Sequence, residues 1–423
     1  MKHGHWLFVG LLITGCSSNV LRQVKALDHE LQQHMGFALY DVAAKRMVAE
    51  HQADKYFTPA SNTKIFTFYT SLHVLGDSAL AFRYQQAGDS LIVWGMGDPS
   101  FLNRYVTASS RTYDFLAAWP GRIFLSTALM HEEPLGPGWG WSEYQYAYQP
   151  ERSAFPMYGN LVDIYQTKGM VTTEPRWFSK DVITTSLTRE GVQRAIDANE
   201  FVVNPTKLGS EPYPVPFRAA DEVVAELLAD TLKKSIELVS LPLRKEAGVF
   251  YSVPLDSLYK TMMQESDNFL AEQLLLQCAA VLSDTLNTDI AIAYAKKYLL
   301  NDLIDSPQWV DGSGLSRYNL FTPRSIVQLW EKILAKRPRE TLFPLLATGG
   351  VNGTIKNWYP GNPQPYVFGK TGTLSNNHSL SGYLITQRGR VLIFSLMNNN
   401  FTQPTRVVRE RMQRLLESIR DRY

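Results

Sequence analysis

A serine and a lysine are spaced three residues apart in the segment Ser61-Asn62-Thr63-Lys64. Residues at i and i+3 share one face of a helix, so the Lys64 amine can approach the Ser61 hydroxyl. A serine hydroxyl is a poor nucleophile until a neighbouring group takes its proton. A lysine can take it if burial lowers the pKa of the amine, because desolvation disfavours the ammonium form. The pair therefore predicts acyl transfer with Ser61 as the nucleophile and Lys64 as its general base.

The surroundings of Ser61 distinguish it from a second serine with the same spacing. Ser61 follows Pro59-Ala60 and opens an apolar helix that we expect to end before Gly76. Free backbone N–H groups at a helix start favour negative charge, which suits a developing oxyanion. Ser257-Leu258-Tyr259-Lys260 repeats the pattern, but it lies inside a predicted helix and lacks these features.

Two further motifs carry side chains that fit the same chemistry. Ser266-Asp267-Asn268 falls between two predicted helices, in a loop able to present a hydroxyl and an amide to a cleft. The same motif could equally be the N-cap of the second of these helices. Lys370-Thr371-Gly372-Thr373 lies on a predicted strand, where a glycine lets a substrate backbone lie close. Lys370 adds positive charge there, and the threonine hydroxyls can bind a carboxylate.

The elements that must position these motifs follow from the hydrophobic pattern. Residues 77–245 are rich in Trp, Tyr, Pro and Gly with short strand-like runs, which predicts an inserted, mostly β region. A hairpin is expected over 36–41 and 46–50, before the first motif. Beyond the insertion we expect helices over 256–264, 269–282, 287–300, 323–335 and 404–420, and an antiparallel meander of strands over 366–372, 380–386 and 390–397.

Composition excludes several classes of protein. The 423 residues are 45% hydrophobic and 12% aromatic, enough for a large core and two or three domains. The 42 basic and 40 acidic residues give a net charge of only +2, so we expect no binding to nucleic acid. The eight histidines are scattered, and His29 and His34 miss the HExxH spacing by one residue. We therefore expect neither a metal site nor a cofactor.

The N-terminus predicts export and a lipid anchor. Residues 1–15 have a short basic start and an apolar run, and Ile13-Thr14-Gly15-Cys16 is similar to the bacterial lipobox. We expect Cys16 to be lipidated and to hold the protein at a membrane, with Ser17 favouring the outer membrane and a periplasmic location. The alternative is an ordinary signal peptide with a chance cysteine. With Cys16 modified, Cys278 would have no disulfide partner, and its apolar helix predicts a buried, inert thiol.

Together, the three motifs are the S-x-x-K, S-D-N and K-T-G set of penicillin-binding proteins and class A β-lactamases. The chain resembles the class C low-molecular-mass penicillin-binding proteins, the D-Ala-D-Ala carboxypeptidase and endopeptidase family of the penicillin-binding protein 4 type. Asp311–Arg317 reads D-G-S-G-L-S-R, as in that family. Gly97-Asp98-Pro99 and Pro137-Gly138-Trp139-Gly140-Trp141-Ser142-Glu143 resemble segments of its insertion.

The resemblance implies an α/β fold of the penicillin-recognising, β-lactamase-like type, with an antiparallel sheet flanked by helices. Residues 16–76 and 246–423 would form this discontinuous catalytic domain, and 77–245 the inserted domain or domains. The implied function is serine-type D-alanyl-D-alanine carboxypeptidase, and also endopeptidase, activity on the stem peptides of cell-wall peptidoglycan. β-Lactams would be inhibitors.

The resemblance also implies a role for each motif residue. Ser61 would be acylated, Lys64 would be its base, and Ser266, tuned by Lys370, would relay a proton to the leaving amine. The substrate backbone would contact Asn268. Three groups of residues complete the implied site: Thr371, Gly372 and Thr373 at the substrate's terminal carboxylate, the backbone N–H groups of Ser61 and Thr373 as the oxyanion hole, and Glu143 and Arg317 at the substrate side chain.

Two other functions fit the same motifs. A serine β-lactamase of class A needs a glutamate some distance after S-D-N to activate water, and no glutamate occurs from Gln273 to Trp330. A non-catalytic lipoprotein that binds β-lactams or peptidoglycan would not require three intact motifs. Both alternatives are therefore less favoured than the peptidase.

Overall fold

A computed structural model describes residues 6–188 and 190–423, with side chains from residue 18 onward. The first five residues and the Cys16 side chain of the predicted lipoprotein signal lie outside the described residues. Among the described helices, none is both long and apolar enough to cross a membrane.

Contacts along the chain define two compact units. The first contains the residues up to Tyr69 together with Tyr259–Ser266 and Ile292–Tyr423, and the second contains Thr70–Leu258 and Asp267–Ala291. The predicted insertion, 77–245, lies entirely within the second unit. That unit also includes the segment after Ser266, which the sequence interpretation grouped with the catalytic domain, so the predicted domain boundaries stay a prediction.

A six-stranded antiparallel sheet is the centre of the first unit, within the part of the chain that is described. Its strands, in spatial order, are Ala347–Thr348, Val367–Leu374, Asn377–Ile385, Val391–Asn399, His34–Asp41 and Arg46–His51. The predicted hairpin and the predicted meander are both confirmed, and they share this sheet. The strand Val367–Leu374 carries the K-T-G motif, and we call it the K-T-G strand.

Helices cover both faces of this sheet. Side chains alternate along each strand, so each strand contributes residues to both of the interfaces with the helices. Leu380 and Leu384 point into a core shared with the helices Trp6–Leu31 and Thr405–Arg422. Tyr383, between them, packs on Trp330 of the helix Pro323–Lys336, with ring centroids 5.3 Å apart. The predicted α/β fold, an antiparallel sheet flanked by helices, is confirmed.

The second unit is built mainly from short strands. A five-stranded sheet and two three-stranded sheets are present among its described residues. Their strands are Ser78–Ala87, Ser90–Gly95, Ile123–Ser126, Leu161–Thr167, Met170–Glu174, Val182–Thr184, Val192–Arg194, Phe201–Val203, Tyr213–Pro216, Ile236–Val239 and Gly248–Pro254. The hydrophobic core of this unit also contains residues of two helices that the sequence did not predict, Arg111–Ala118 and Asp221–Leu232.

The helices predicted beyond the insertion are confirmed, with small shifts at their ends. They are Leu255–Gln264, Asn268–Ser283, Thr288–Tyr298, Pro323–Lys336 and Thr405–Arg422. Cys278 lies on the second of these helices and is buried, 3.5 Å from the Ser71 hydroxyl. The predicted burial of this thiol is confirmed, and burial raises its pKa to about 12.

Candidate active site

Ser61 lies in a tight turn at the start of its helix. Residues Ala60–Thr63 form one turn of 3-10 helix, and the α-helix Lys64–Val74 continues from it. We call Ala60–Thr63 the nucleophile turn. Ala60 has φ of +49°, a left-handed conformation that is unfavourable for a residue with a side chain. Such strain persists only where surrounding contacts hold it, and it is common at functional sites.

Lys64 is fully buried beside the half-buried Ser61. Its Nζ lies 3.0 Å from Ser61 Oγ and 2.6 Å from the Ser313 carbonyl oxygen. The apolar neighbours Ile65 and Phe66 are also fully buried. The amine is therefore held within reach of the nucleophile and shielded from water, as general-base chemistry requires.

The loop Asp311–Arg317 is what presents the Ser313 carbonyl to Lys64. The buried Asp311 carboxylate accepts hydrogen bonds from the Gly314 and Ser316 backbone N–H groups at 2.8 and 2.7 Å. A Cβ on Gly314 would lie 2.0 Å from the Ala60 carbonyl oxygen, so only glycine allows this approach to the nucleophile turn. Asp311 thus shapes a loop whose backbone positions the Lys64 amine.

Asn62, an unspecified position in S-x-x-K, ties the nucleophile turn to the sheet. Its Nδ2 donates to the Lys370 carbonyl at 3.2 Å, and its Oδ1 accepts from the Ser381 hydroxyl at 2.5 Å. Trp330 Nε1 donates to the same Ser381 hydroxyl at 2.9 Å. All of these groups are buried, so the turn is fixed in register with the K-T-G strand.

Ser266 and Lys370 form the second hydrogen-bonded pair of the site. Lys370 Nζ donates to Ser266 Oγ at 2.6 Å and to the Thr371 carbonyl at 2.8 Å. Burial, and then repulsion by the Lys64 charge, hold the pKa of Lys370 well below its usual value. Ser266 has φ of +64°, again a strained backbone at a motif residue. A lysine with a lowered pKa, bonded to a hydroxyl, can exchange a proton with it.

The residues of the S-D-N motif make different contacts, and the helix-cap interpretation is confirmed for Asp267. Asp267 is the N-cap of the helix Asn268–Ser283, and its carboxylate accepts from the Leu270 N–H at 2.9 Å. Ser266 bonds to Lys370 instead. Within the second unit, Asn268 Nδ2 donates to the Tyr148 carbonyl at 2.7 Å. The cap therefore fixes the backbone on either side of Asp267, where Ser266 and Asn268 lie.

Glu143, the predicted acidic position, lies in the short turn Trp141–Glu143 of the second unit. It reaches Tyr148, the residue whose carbonyl binds Asn268. Burial, and then the charge of Glu143 and a hydrogen bond to it, raise the pKa of the Tyr148 hydroxyl to about 12. Arg317, the predicted basic position, is exposed at the end of its loop in the first unit.

Gly372 serves a purpose different from the one proposed from the sequence. A Cβ at this position would lie 2.4 Å from the Pro59 carbonyl oxygen and 3.0 Å from the Asn62 N–H nitrogen. The space that a side chain would fill is thus occupied by the nucleophile turn. The missing side chain brings Ser61 close to the K-T-G strand. On the other edge of this strand, within the described part of the chain, the strand Ala347–Thr348 pairs only with Phe368 and Gly369.

The two threonines of the K-T-G strand differ in their surroundings. Thr371 is buried, and its Oγ1 lies 2.7 Å from Thr354 Oγ1. Thr373 is exposed, and its Oγ1 lies 2.8 Å from Nδ1 of His378 on the neighbouring strand. Thr373 is therefore the better placed of the two to meet a ligand. Neither Thr354 nor His378 was predicted, and no motif in the sequence marks them.

Comparison with known proteins identifies the family. A model of the D-Ala-D-Ala carboxypeptidase 3 (S13) family matches residues 20–419. The chain belongs to this family. It is 22% identical over 414 residues to the D-alanyl-D-alanine carboxypeptidase DacB of Haemophilus influenzae, covering 87% of this chain and 86% of that protein. The prediction from the three motifs is confirmed, and S13 membership makes the chain a hydrolase of the D-Ala-D-Ala carboxypeptidase class.

Solved structures agree with the S13 fold. The crystal structure of penicillin binding protein 4 (dacB) from H. influenzae matches with a TM-score of 0.76 and 20% identity, covering 94% of this chain and 99% of that one. The same protein complexed with a novel β-lactam matches with a TM-score of 0.70 and 19% identity, over the same shares of the two chains, 94% and 99%. At these identities the likeness establishes the fold, while the residue roles rest on the geometry above.

Proposed function

We propose that this S13 protein removes the terminal D-alanine from peptidoglycan stem pentapeptides through an acyl-enzyme on Ser61. One observation carries the proposal: a fully buried lysine amine lies 3.0 Å from a half-buried serine hydroxyl in the strained nucleophile turn. Buried amines adjacent to a hydroxyl are how serine acyl-transfer sites generate a nucleophile without histidine.

The reaction follows from the two hydrogen-bonded pairs. Ser61 Oγ attacks the carbonyl carbon of the penultimate D-alanine while Lys64 takes the hydroxyl proton. The peptide bond breaks, and the proton taken by Lys64 is relayed through Ser266, beside Lys370, to the leaving amine of the last D-alanine. Water then attacks the ester, Lys64 or Ser266 takes the water proton and returns it to Ser61 Oγ, and the shortened stem leaves as a carboxylic acid. The backbone N–H groups of Ser61 and Thr373 serve as the oxyanion hole.

The same acyl-enzyme supports endopeptidase activity. A D-alanine carbonyl also precedes the bond to diaminopimelate in a cross-link, so only the leaving amine differs between the two reactions. A β-lactam presents a similar carbonyl, but its amine stays tethered after ring opening and blocks the attacking water. Its adduct on Ser61 is therefore long-lived, which makes β-lactams inhibitors.

The test is to incubate the purified protein with cell-wall muropeptides and, separately, with penicillin. We expect rapid release of D-alanine, or loss of cross-links, together with slow turnover of penicillin. Rapid penicillin turnover with untouched muropeptides would mean a β-lactamase. A permanent adduct without muropeptide cleavage would mean a non-catalytic binding protein.

Glu143 and Arg317 are proposed to recognise the amine and carboxylate of the stem-peptide side chain. A carboxylate and a guanidinium can each form a charge-assisted hydrogen bond with the oppositely charged group of a zwitterion. Glu143 is hydrogen-bonded to the Tyr148 hydroxyl, and the Tyr148 carbonyl accepts from Asn268. Glu143→Gln and Arg317→Ala should each lower kcat/KM by on the order of tenfold on a peptide that carries both groups. A peptide lacking them is the control. Equal loss on both peptides, or no loss, would remove these residues from substrate recognition.

The protein is proposed to be a periplasmic lipoprotein held by a lipid on Cys16, most simply at the outer membrane. Covalent acyl chains supply hydrophobic surface that anchors a protein to a membrane. Cys16→Ala should remove incorporation of labelled palmitate and move the protein to the soluble fraction. Cys278→Ala is the matched control, since that thiol is buried in the fold. A Cys16→Ala protein that stays fully membrane-bound would contradict the anchor.

A further inference from the structure

The His378 ring contacts the exposed hydroxyl of Thr373, near the C-terminal end of the K-T-G strand. The two residues face each other across adjacent strands, with Thr373 paired to His378 in the antiparallel register. Thr373 is exposed, whereas only 1% of His378 is accessible to solvent. The Nδ1 and Oγ1 atoms are 2.8 Å apart, a full hydrogen bond.

The protonation state of the His378 imidazole limits which of the two atoms can donate in this hydrogen bond. Burial, and then the positive charge of Arg409, lower the pKa of His378 to about 3. The ring is therefore neutral at physiological pH and carries a single N–H. A neutral imidazole has one donor nitrogen and one acceptor nitrogen. Which of the two carries the proton decides whether the Thr373 hydroxyl accepts from the ring or donates to it.

The surroundings of the ring select one tautomer. His378 Nε2 has no hydrogen-bond partner among the described residues. A proton at Nε2 would leave a buried N–H unsatisfied, which is rarer and costlier in proteins than an unsatisfied acceptor. The proton therefore belongs on Nδ1, where Thr373 Oγ1 accepts it.

This tautomer determines the direction of the threonine hydroxyl. Once Thr373 Oγ1 accepts from His378, its own proton remains available to point outward. An outward O–H donates to an anion, whereas the other tautomer would turn oxygen lone pairs towards it. Thr371, the second threonine, is buried against Thr354 and leaves Thr373 as the exposed hydroxyl.

We propose that His378 is a positioning residue that fixes Thr373 as a hydrogen-bond donor to the terminal carboxylate of the substrate. The inference rests on the proposed carboxypeptidase function and adds a determinant of specificity to it. It assigns recognition of the free carboxylate to a pair, a buried donor and an exposed hydroxyl, instead of to a threonine alone.

Kinetics on matched peptides test the proposal. His378→Phe keeps a buried ring and removes the donor, and should lower kcat/KM about tenfold on an acyl-D-Ala-D-Ala peptide, mainly through KM. On the C-terminal amide of the same peptide the change should stay within about twofold, because no carboxylate is present. His378→Asn, whose amide nitrogen can replace Nδ1 as donor, should recover most of the loss. In a Thr373→Val background, His378→Phe should have no further effect.

A readout independent of activity separates this inference from the proposed function. In protein labelled with ¹⁵N-histidine, the ring signals absent from His378→Phe should report a protonated Nδ1 and an unprotonated Nε2. A protonated Nε2, or equal losses on the free acid and the amide, would overturn the inference. Wild-type protein that cleaves neither peptide would overturn the proposed function, and the tautomer measurement would still decide whether His378 orients Thr373.

Discussion

Ser61→Ala is expected to lower the rate of D-alanine release from a pentapeptide stem by on the order of 10⁴- to 10⁶-fold. Every covalent step proceeds through this oxygen, which lies 3.0 Å from the buried Lys64 amine. Catalytic residues that act together are not additive, so removing the nucleophile alone removes nearly all of the rate enhancement that they provide. The measurement is a single-turnover assay of released D-alanine, with labelled penicillin as a second substrate.

The chain contains a matched control for this prediction. Ser257 and Lys260 repeat the S-x-x-K spacing, but Ser257 Oγ donates to the Pro254 carbonyl at 2.7 Å and Lys260 is exposed. The Ser257 hydroxyl thus donates its proton to a backbone carbonyl three residues earlier in the chain, a local bond that engages this serine away from Lys260. Ser257→Ala should keep wild-type rates. Activity retained by Ser61→Ala and lost by Ser257→Ala would reverse the assignment.

Lys64→Met is expected to lower the rate of acylation by about 10²- to 10⁴-fold, the usual contribution of a general base. Methionine has nearly the same length and fits an apolar surrounding, so the loss should come from the missing amine and not from packing. Loss of the hydrogen bond between Lys64 Nζ and the Ser313 carbonyl is a separate cost, on the order of 1 kcal/mol of stability, which thermal unfolding would measure.

Lys260→Met is the corresponding control, since it removes an exposed lysine at the same spacing from a serine. Its acylation rate and melting temperature should match those of the wild type. If the Lys64→Met protein is acylated by penicillin at the wild-type rate, another group takes the Ser61 proton. The assignment of Lys64 as the general base would then be wrong.

Much of the site was predictable because its motifs depend on local geometry. The spacing of Ser61 and Lys64 is a property of one helical turn, and the alternation of the last three strands defines their faces. The sequence could not reveal the partners that hold these motifs in place. Asn62 and Ser313 act through contacts with residues far away in the chain, whereas His378 meets Thr373 across a short turn between adjacent strands. Polar residues of these types occur throughout the sequence.

Gly372 and the insertion show two different reasons for error. The role of Gly372 depends on the Pro59 carbonyl that faces it, which only the tertiary structure places there. The helix Asp221–Leu232, in contrast, has acidic residues in its first turn and five buried apolar side chains, a pattern visible in the sequence. The overall composition of 77–245, taken as one mostly β region, hides this local helical pattern.

The central claim is an acyl-enzyme on Ser61, and the most direct measurement is mapping of the penicillin adduct by peptide mass spectrometry. After a short incubation and proteolysis, the added mass should be found on the peptide that contains Ser61, with none on the peptide that contains Ser257. An adduct on Ser257 or on any other residue, or a failure to form a covalent adduct, would contradict the account.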